Sequence, residues 1–386
     1  MKLRSTMLRF FDKKYDPSDA NEDFKNLAIV SKPLDLLNAI EYQYSINLAI
    51  SDLEVWVIGN GHVQETTRSI CSIYGLRVTN IVDPDLYYRL VTRINILNLP
   101  SLIIDMLKVF IGSLGKLLWY YYILKIQFMV KKKKYNHLIL DCWRNKYSVV
   151  ALLDFKHLVI IDGGYSTISL DLIGSWNQYG AHEGIKRYLN AQSVSPLKSS
   201  KGMFTKARFR NYAADFATKI PSALAWFTHN RIKNKHIILF SAFLDRDNKA
   251  LGFLANRYKY SRSCIRKKQS VRRVLILGYP SVSIIDRQYS EAVKASNGDI
   301  EASIHYQLHP SDIRKMYISK DYECFIKKAL NKYPVTYDGA RYSLEWDLIL
   351  EGDLPHTIVL YQSSALPWLH SVLSGRTNIV LVNHSS

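Results

Sequence analysis

Short β-branched apolar runs alternate along this chain with longer stretches in which apolar residues recur at helical spacing. Apolar positions return every three residues from Leu34 to Ile40, which predicts a helix. Pro33 suits the first turn of this helix and Ser31 suits its N-cap. The first predicted elements are strands over 26–31, 53–59 and 76–82 and helices over 32–42 and 63–74. Strands that alternate with helices predict a mostly parallel, doubly wound α/β sheet.

The pattern continues and then restarts beyond a basic segment. Further strands are predicted over 135–141, 157–161, 237–243, 274–279, 304–308 and 357–361, and further helices over 148–153, from 311 onward and over 365–373. Between residues 257 and 273, eight of seventeen residues are Lys or Arg, which is typical of a solvated linker. A chain of 386 residues is also long for a single core. We therefore expect two α/β domains, over 1–265 and 266–386.

Residues 96–130 form the most hydrophobic part of the chain. Asp105, Lys108, Lys116 and Lys125 interrupt this region. No charge-free apolar run of about 18 residues remains, so a membrane-spanning helix is not expected. The charges leave one apolar face and are followed by four lysines. Two interpretations stay open: a helix packed on the sheet, or a helix that also contacts an anionic bilayer.

Composition narrows the classes of protein. An apolar fraction of 48% excludes a largely disordered chain. The 52 Lys and Arg against 33 Asp and Glu give a net charge of +19, so we expect an anionic substrate or partner. The four cysteines are far apart and predict no structural metal, and the basic N-terminus lacks the apolar core of a secretory signal. These features favour a reducing, cytoplasmic location.

One carboxylate stands where α/β sheets place their ligands. The apolar run 157–161 predicts a buried strand that ends at Asp162, and Gly163 and Gly164 follow. Ligands of such sheets bind at the carboxyl ends of strands, and glycines let a substrate approach the backbone closely. Asp162 is therefore a candidate catalytic base. The alternative is a solvated aspartate in an Asp-Gly-Gly turn.

Two more motifs follow predicted strands in the second half. His309 and Pro310 come after the strand over 304–308, and the proline fixes the backbone just beyond the imidazole. Ser363 and Ser364 follow the strand over 357–361 and precede a helix. Hydroxyls at a helix N-terminus suit a phosphate, because free N–H groups and the helix dipole point at the anion. Each motif is also common as plain structure.

The three motifs, in this order and each at a strand end, resemble those of the bacterial sialyltransferases of glycosyltransferase family 52 and of related capsule sialyltransferases and polysialyltransferases. These enzymes share an acid-acid-Gly motif, a His-Pro motif and a Ser-Ser or Ser-Thr motif. Residues 30–41 and 141–163 also look like the corresponding parts of that family. The chain departs from the pattern at Ile161, which stands in place of the first acid.

The resemblance implies a GT-B fold, in which two Rossmann-like domains face a central cleft. The first would carry the acceptor and the base, and the second would bind CMP. The implied reaction transfers sialic acid from CMP-sialic acid to a sugar hydroxyl with inversion, and it needs no metal or other cofactor. Asp162 would accept the proton of the acceptor hydroxyl, and His309 would donate to the CMP phosphate.

The resemblance and the strand ends together suggest further site residues. On the donor side we expect His309, Pro310, Gly278, Tyr279, Glu345, Ser363 and Ser364. On the acceptor side we expect Ser31, Gly163 and Gly164. Glu345 has an alternative role in a surface salt bridge, and Pro280 extends the expected donor cleft.

Three functions stay open. The first is a sialyltransferase that modifies a galactose-terminated glycan, such as lipooligosaccharide or capsule, at the inner membrane of a bacterium. The second is a polysialyltransferase or a transferase of another acidic sugar, which the net charge of +19 favours. The third is a non-enzymatic polyanion-binding protein. No nucleic-acid recognition pattern is present, so nucleic acid is not an expected partner. An anionic membrane surface is an expected partner, and a homodimer stays open.

Overall fold

The structure is a computed structural model that describes residues 26–58, 61–81, 133–141, 150, 153–162, 232, 235–268, 270–296, 303–339, 342–350, 353–361, 363 and 365–382. The hydrophobic region 96–130, the predicted helix over 148–153 apart from two of its residues, and Gly163 and Gly164 lie outside these residues. No helix in the described ranges has the length and apolar character needed to cross a membrane.

The first half of the chain builds a seven-stranded parallel sheet. Its strands are β1 (Asn26–Val30), β2 (Leu53–Ile58), β3 (Val78–Ile81), β4 (Lys134–Leu140), β5 (Asp154–Ile161), β6 (His236–Ser241) and β7 (Phe253–Ala255). They lie in the order β3-β2-β1-β4-β5-β6-β7. The helices α1 (Pro33–Ser45) and α2 (His62–Ile73) connect the first three strands. Both β1 and β2 are buried along their whole length, as expected for strands covered on both faces of a parallel sheet.

The second half builds a five-stranded parallel sheet in the order β10-β9-β8-β11-β12. Its strands are β8 (Ser270–Leu277), β9 (Ser303–Leu308), β10 (Thr336–Gly339), β11 (Leu354–Leu360) and β12 (Asn378–Leu381). The helices of this half are α4 (Ile285–Ala295), α5 (Pro310–Ile318), α6 (Lys320–Leu330), α7 (Leu344–Leu350) and α8 (Leu366–Leu373). These two sheets confirm the expected α/β class with two Rossmann-like units.

The basic segment between the sheets is not a solvated linker, and that interpretation was wrong. Residues Lys259–Ile265 form a helix, α3, in which Tyr260 and Ser261 are buried. The carboxylate of Glu41 on α1 accepts hydrogen bonds from the N–H groups of Tyr260 and Ser261, at 2.9 and 2.8 Å. The N-terminus of α3 is thereby bound to α1 of the first unit. Local charge density could not predict this burial, because the apolar residues that cause it lie between the basic ones.

One hydrophobic core joins the two units. It includes residues of the first sheet and of α1 together with Trp346 on α7 and Trp368 on α8. The indole of Trp368 donates to the hydroxyl of Ser261 at 3.1 Å, which connects the second unit to α3. The two sheets therefore share one core, although each also has a core of its own on its other face, and α1 and α3 lie where the sheets meet.

The start of α1 differs from the prediction. The helix begins at Pro33, and its N-cap is Lys32, whose side chain makes no capping hydrogen bond. Ser31 was therefore wrongly predicted as the N-cap. Its N–H and its hydroxyl instead both donate to Oδ2 of Asp35 at 3.0 Å, so the acid of the first turn reaches back to the residue that leaves β1.

Candidate active site

The predicted site residues lie at the carboxyl ends of parallel strands. Asp162 follows β5 in the first sheet, and Gly278, His309 and Ser363 follow β8, β9 and β11 in the second. Since β9, β8 and β11 are neighbours and parallel, their three following segments share one edge of the second sheet. The strand order reverses direction between β8 and β11, and such a switch point is where open α/β sheets bind ligands.

Asp162 is buried, so the expectation of a solvated aspartate was wrong, while the Asp-Gly-Gly turn lies outside the described residues. Its side chain is 5% exposed. The hydroxyl of Ser241 donates to Oδ1 and the N–H of Ala242 donates to Oδ2, each at 2.7 Å. The N–H of Phe243 donates to the Ser241 hydroxyl at 3.1 Å, which leaves that hydroxyl oriented to donate onward.

Burial raises the pKa of Asp162 to about 6, although the hydrogen bonds from Ala242 and Ser241 act in the opposite direction. The carboxylate is therefore ionised near neutral pH and more basic than an exposed aspartate. A carboxylate with a pKa close to the working pH is suited to general-base catalysis.

Glu345 is also buried, which makes its alternative role in a surface salt bridge wrong. It lies in the first turn of α7 and is 6% exposed. Burial raises the pKa of its carboxyl, while the Ser343 hydroxyl and the positive charge of Lys32 lower it. Because Lys32 belongs to the first unit, Glu345 of the second unit faces the end of β1 across the junction.

Tyr258 is a site residue that the sequence analysis missed. It is buried just before α3 and has a left-handed backbone with a φ of 49°, which is uncommon for a bulky residue. Burial raises the pKa of its phenol well above 10, and the negative charges of Asp162, Glu345 and Glu41 raise it further. The phenol therefore stays protonated and lies within electrostatic reach of carboxyl groups from both units. No local sequence signal marks it, because its neighbours come from distant segments.

His309 is held as a neutral hydrogen-bond donor. It is the N-cap of α5, and its Nδ1 accepts from the Ser311 N–H at 3.2 Å. Nδ1 also lies 2.7 Å from the Ser311 hydroxyl. Burial lowers the pKa of the imidazole, and nearby Lys315 adds to this while Asp312 opposes it. With Nδ1 occupied as an acceptor, the neutral ring carries its proton on Nε2, which is the atom left to donate to a ligand.

The turn after β8 brings the backbone very close to β9. The N–H of Gly278 donates to the carbonyl of Gln307 at 2.8 Å, and a Cβ on Gly278 would lie 2.7 Å from that oxygen. Only glycine fits this approach. The next residue, Tyr279, is partly exposed and its ring meets that of Tyr361 edge to face at 5.0 Å. The turn thus presents an aromatic ring at the switch point, and Pro280 then starts a 3₁₀ turn.

Only part of the serine motif lies within the described residues. The Ser363 hydroxyl accepts from the N–H of Ala365 at 3.2 Å, which is a local turn contact before α8. Ser364 lies outside the described residues. Phosphate binding by this pair therefore stays a prediction, as does the expectation that no metal takes part.

No protein-family model and no curated protein matches the chain. The chain is similar to a solved sialyltransferase GT-B domain from Photobacterium damselae, residues 113–497, with 10% identity, a TM-score of 0.42, and coverage of 92% of this chain and 89% of that one. It is also similar to UGT71G1 of Medicago truncatula complexed with UDP-glucose, with 12% identity, a TM-score of 0.35, and coverage of 96% and 88%. A third similar structure is the UDP-GlcNAc 2-epimerase of Methanocaldococcus jannaschii, with 10% identity, a TM-score of 0.35, and coverage of 93% and 89%.

Proposed function

We propose that this chain is a glycosyltransferase of the GT-B type that transfers sialic acid from CMP-sialic acid to a sugar hydroxyl. The observation that carries the proposal is the Asp162 carboxylate, which is buried at a strand end and has a pKa of about 6. A buried acid of this kind costs stability at neutral pH, and strongly shifted pKa values of buried acids cluster at functional sites.

In the proposed reaction, Asp162 accepts the proton of the acceptor hydroxyl. The acceptor oxygen forms a bond to the anomeric carbon of the sugar, and the bond from that carbon to the CMP phosphate oxygen breaks. CMP leaves with the bonding electrons from the face opposite the acceptor, so the anomeric configuration inverts. Asp162 acts on the acceptor alone, and its loss leaves donor binding intact.

The donor side of the proposal rests on the second sheet. The Nε2 proton of His309 stabilises the negative charge that develops on the departing phosphate. Gly278 lets this turn pack closely against β9, and Tyr279 offers a ring for stacking at the switch point. Ser363 and Ser364 would bind the phosphate, and Glu345 would bind the ribose. A nucleotide phosphate is a good leaving group, so the proposed reaction uses no metal.

The net charge of +19 favours a polyanionic partner and supports a second candidate function. In this alternative the chain is a polysialyltransferase, or a transferase of another acidic sugar in capsule synthesis. In the first candidate the acceptor is a lipid-linked glycan, and the basic surface contacts an anionic bilayer on the cytoplasmic side. A homodimer is compatible with both.

The test is incubation of the full chain with CMP-sialic acid and a panel of acceptors that end in galactose or in sialic acid. CMP release and the product linkage are measured, and UDP-glucose serves as the control donor. Transfer to galactose supports the first candidate, and chain extension on sialic acid supports the second. If the protein neither binds CMP nor releases it with any acceptor, both are wrong and the non-enzymatic polyanion-binding function takes their place.

A further inference from the structure

Two buried asparagines connect Asp162 by hydrogen bonds to α1 and to the end of β7. Asn38 on α1 is 1% exposed, and its Nδ2 donates to the backbone carbonyl of Asp162 at 2.6 Å. Asn256, just after β7, is 4% exposed, and its Nδ2 donates to Oδ1 of Asn38 at 3.2 Å. Each asparagine therefore uses its amide to bind a residue that is far away in sequence.

These contacts close into a ring. The N–H of Asn256 donates to the carbonyl of Ser241 at 2.8 Å, and the hydroxyl of Ser241 donates to Oδ1 of Asp162 at 2.7 Å. The ring therefore has four members: Asp162, Asn38, Asn256 and Ser241. It binds Asp162 at both its carbonyl and its carboxylate. The same Asn256 accepts the N–H of Tyr258 at 3.0 Å through its own Oδ1, which supports the left-handed backbone of Tyr258.

The position of Asp162 in the chain explains why such a ring matters. Two glycines follow it directly, and glycine permits many backbone conformations. The Asn38 amide binds the last peptide of β5 to α1 through the Asp162 carbonyl. A displacement of a catalytic group by about 1 Å can lower a rate by about 10²-fold.

We infer that Asn38 and Asn256 are positioning residues that fix the main chain at Asp162, so that its carboxylate is aimed at the acceptor. This role rests on the proposed transfer reaction. Each asparagine acts as donor and acceptor at once. Aspartate has no N–H to donate and leucine has neither group, so neither residue replaces asparagine in the ring.

Two measurements on Asn38→Ala, Asn256→Ala and the double variant test the inference. The first is transfer kinetics. We expect kcat to fall by about 10-fold to 10²-fold with the donor KM unchanged, and the double variant to be no slower than the worse single one, because both changes open the same ring. The second is hydrogen exchange at the Ala242 amide, which donates to the Asp162 carboxylate. We expect at least about tenfold faster exchange in each variant.

Asn26→Ala is the matched control. Asn26 is equally buried and lies at the start of β1, at the amino end of the strands of the same sheet. Its Nδ2 donates to Gln43 at 3.0 Å, and its Oδ1 accepts the His137 N–H at 3.1 Å. This variant loses a comparable amide pair, and we expect wild-type exchange at Ala242 and wild-type kcat. Should Asn38→Ala not fold, Asn38→Ser replaces it, since a serine hydroxyl is too short to reach the Asp162 carbonyl.

The outcomes separate the two levels of the proposal. If the wild type transfers sugar but the Asn38 and Asn256 variants keep its kcat and its Ala242 protection, the positioning role is overturned. It is also overturned if Asn26→Ala alters both quantities to the same extent, since the asparagines would then be ordinary core residues. If the wild type transfers nothing while Ala242 protection falls only in the Asn38 and Asn256 variants, the proposed function is wrong. The conclusion that the ring fixes the main chain at Asp162 is then kept.

Discussion

The indole N–H of Trp346 donates to the carbonyl of Pro33 at 2.8 Å, and both residues are buried. Trp346 lies on α7 of the second unit, and Pro33 begins α1 of the first. The residue before Trp346 is Glu345, and the residue before Pro33 is Lys32. This hydrogen bond thus joins the segment that carries Glu345 to the end of β1, where acceptor residues are expected.

Trp346→Phe should lower both stability and transfer. The change removes the hydrogen bond from the indole to the Pro33 carbonyl, which costs about 0.5–1.5 kcal/mol in the free energy of unfolding. Trp56→Phe is the control, because Trp56 is equally buried but its indole donates within the first unit, to Glu54 at 2.9 Å. Denaturant unfolding should show similar losses for both variants. Only Trp346→Phe should reduce kcat, and equal kcat values for the two would show that the contact between the units does not matter for the reaction.

Asp162→Asn should abolish transfer while CMP binding persists. Removal of a general base lowers the rate by about 10²-fold to 10⁴-fold. Asp154→Asn is a matched control at the other end of the same strand, where Asp154 is half exposed and forms a 3.6 Å ion pair with Lys235. Initial rates and CMP titrations on both variants make the comparison. A rate for Asp162→Asn within a few fold of wild type would remove Asp162 from the reaction.

The same substitution should raise stability at neutral pH. The pKa of Asp162 rises from its ordinary value of 3.8 to about 6 on folding, so the folded state binds the proton more tightly than the unfolded state does. This proton contributes stability that is fully present below pH 3.8 and is lost as the pH rises through about 6, a difference of about 3 kcal/mol.

Asparagine resembles the neutral acid, so Asp162→Asn should be more stable than wild type at pH 8 by up to about 3 kcal/mol. The advantage should shrink as the pH falls through 6 and be absent below about pH 3.8. Unfolding midpoints at pH 4, 6 and 8 provide the measurement. A wild type that is the more stable protein at pH 8 would mean that its carboxylate is well stabilised in the ionised form.

His309→Ala should impair use of the donor. The variant lacks the Nε2 proton that we propose donates to the phosphate, and we expect kcat to fall by about 10²-fold or more. It also loses the cap of α5, which costs about 1 kcal/mol of stability. His305→Ala is the control, since His305 lies on β9, the strand that His309 follows, with its Nε2 2.9 Å from Asp338. If both variants keep the wild-type kcat and donor KM, His309 is only a helix cap.

The basic surface should bind anionic vesicles, but not through every lysine of the run 131–134. Lys133 is already used inside the fold, where its Nζ lies 3.2 Å from Oε2 of the buried Glu54. Changing Lys131, Lys132 and Lys134 to Gln should therefore weaken binding, by roughly 1 kcal/mol for each residue near the surface. Activity on a small soluble acceptor should be unchanged.

Vesicles of phosphatidylcholine with phosphatidylglycerol, sedimented at several salt concentrations, measure this binding. The control variant changes Lys320, Lys327 and Lys328 on α6 to Gln and removes the same charge elsewhere. Binding should fall steeply with salt, because the attraction is screened within about 8 Å at physiological ionic strength. Vesicle binding that both triple variants retain would exclude the run from membrane contact, and binding to polysialic acid in its place would favour the polysialyltransferase.

The sequence by itself determined nine of the twelve described strands and what stands at their ends, and it missed the short edge strands β7, β10 and β12. Apolar runs are local signals, so they located β5, β9 and β11 and therefore placed Asp162, His309 and Ser363 beyond carboxyl ends. The same signals predicted two parallel sheets. Short motifs worked here because the residues concerned adjoin the strands that position them.

Tertiary structure decided how these residues behave chemically. The pKa of Asp162 depends first on its burial and then on hydrogen bonds from Ala242 and Ser241, which lie 80 and 79 residues further along the chain. Its carbonyl is held by Asn38, 124 residues earlier. Tyr258 takes its place in the site only because α3 packs between the units. Burial and hydrogen bonding come from whichever segments the fold brings together, and the pattern of neighbouring residues carries no information about those partners.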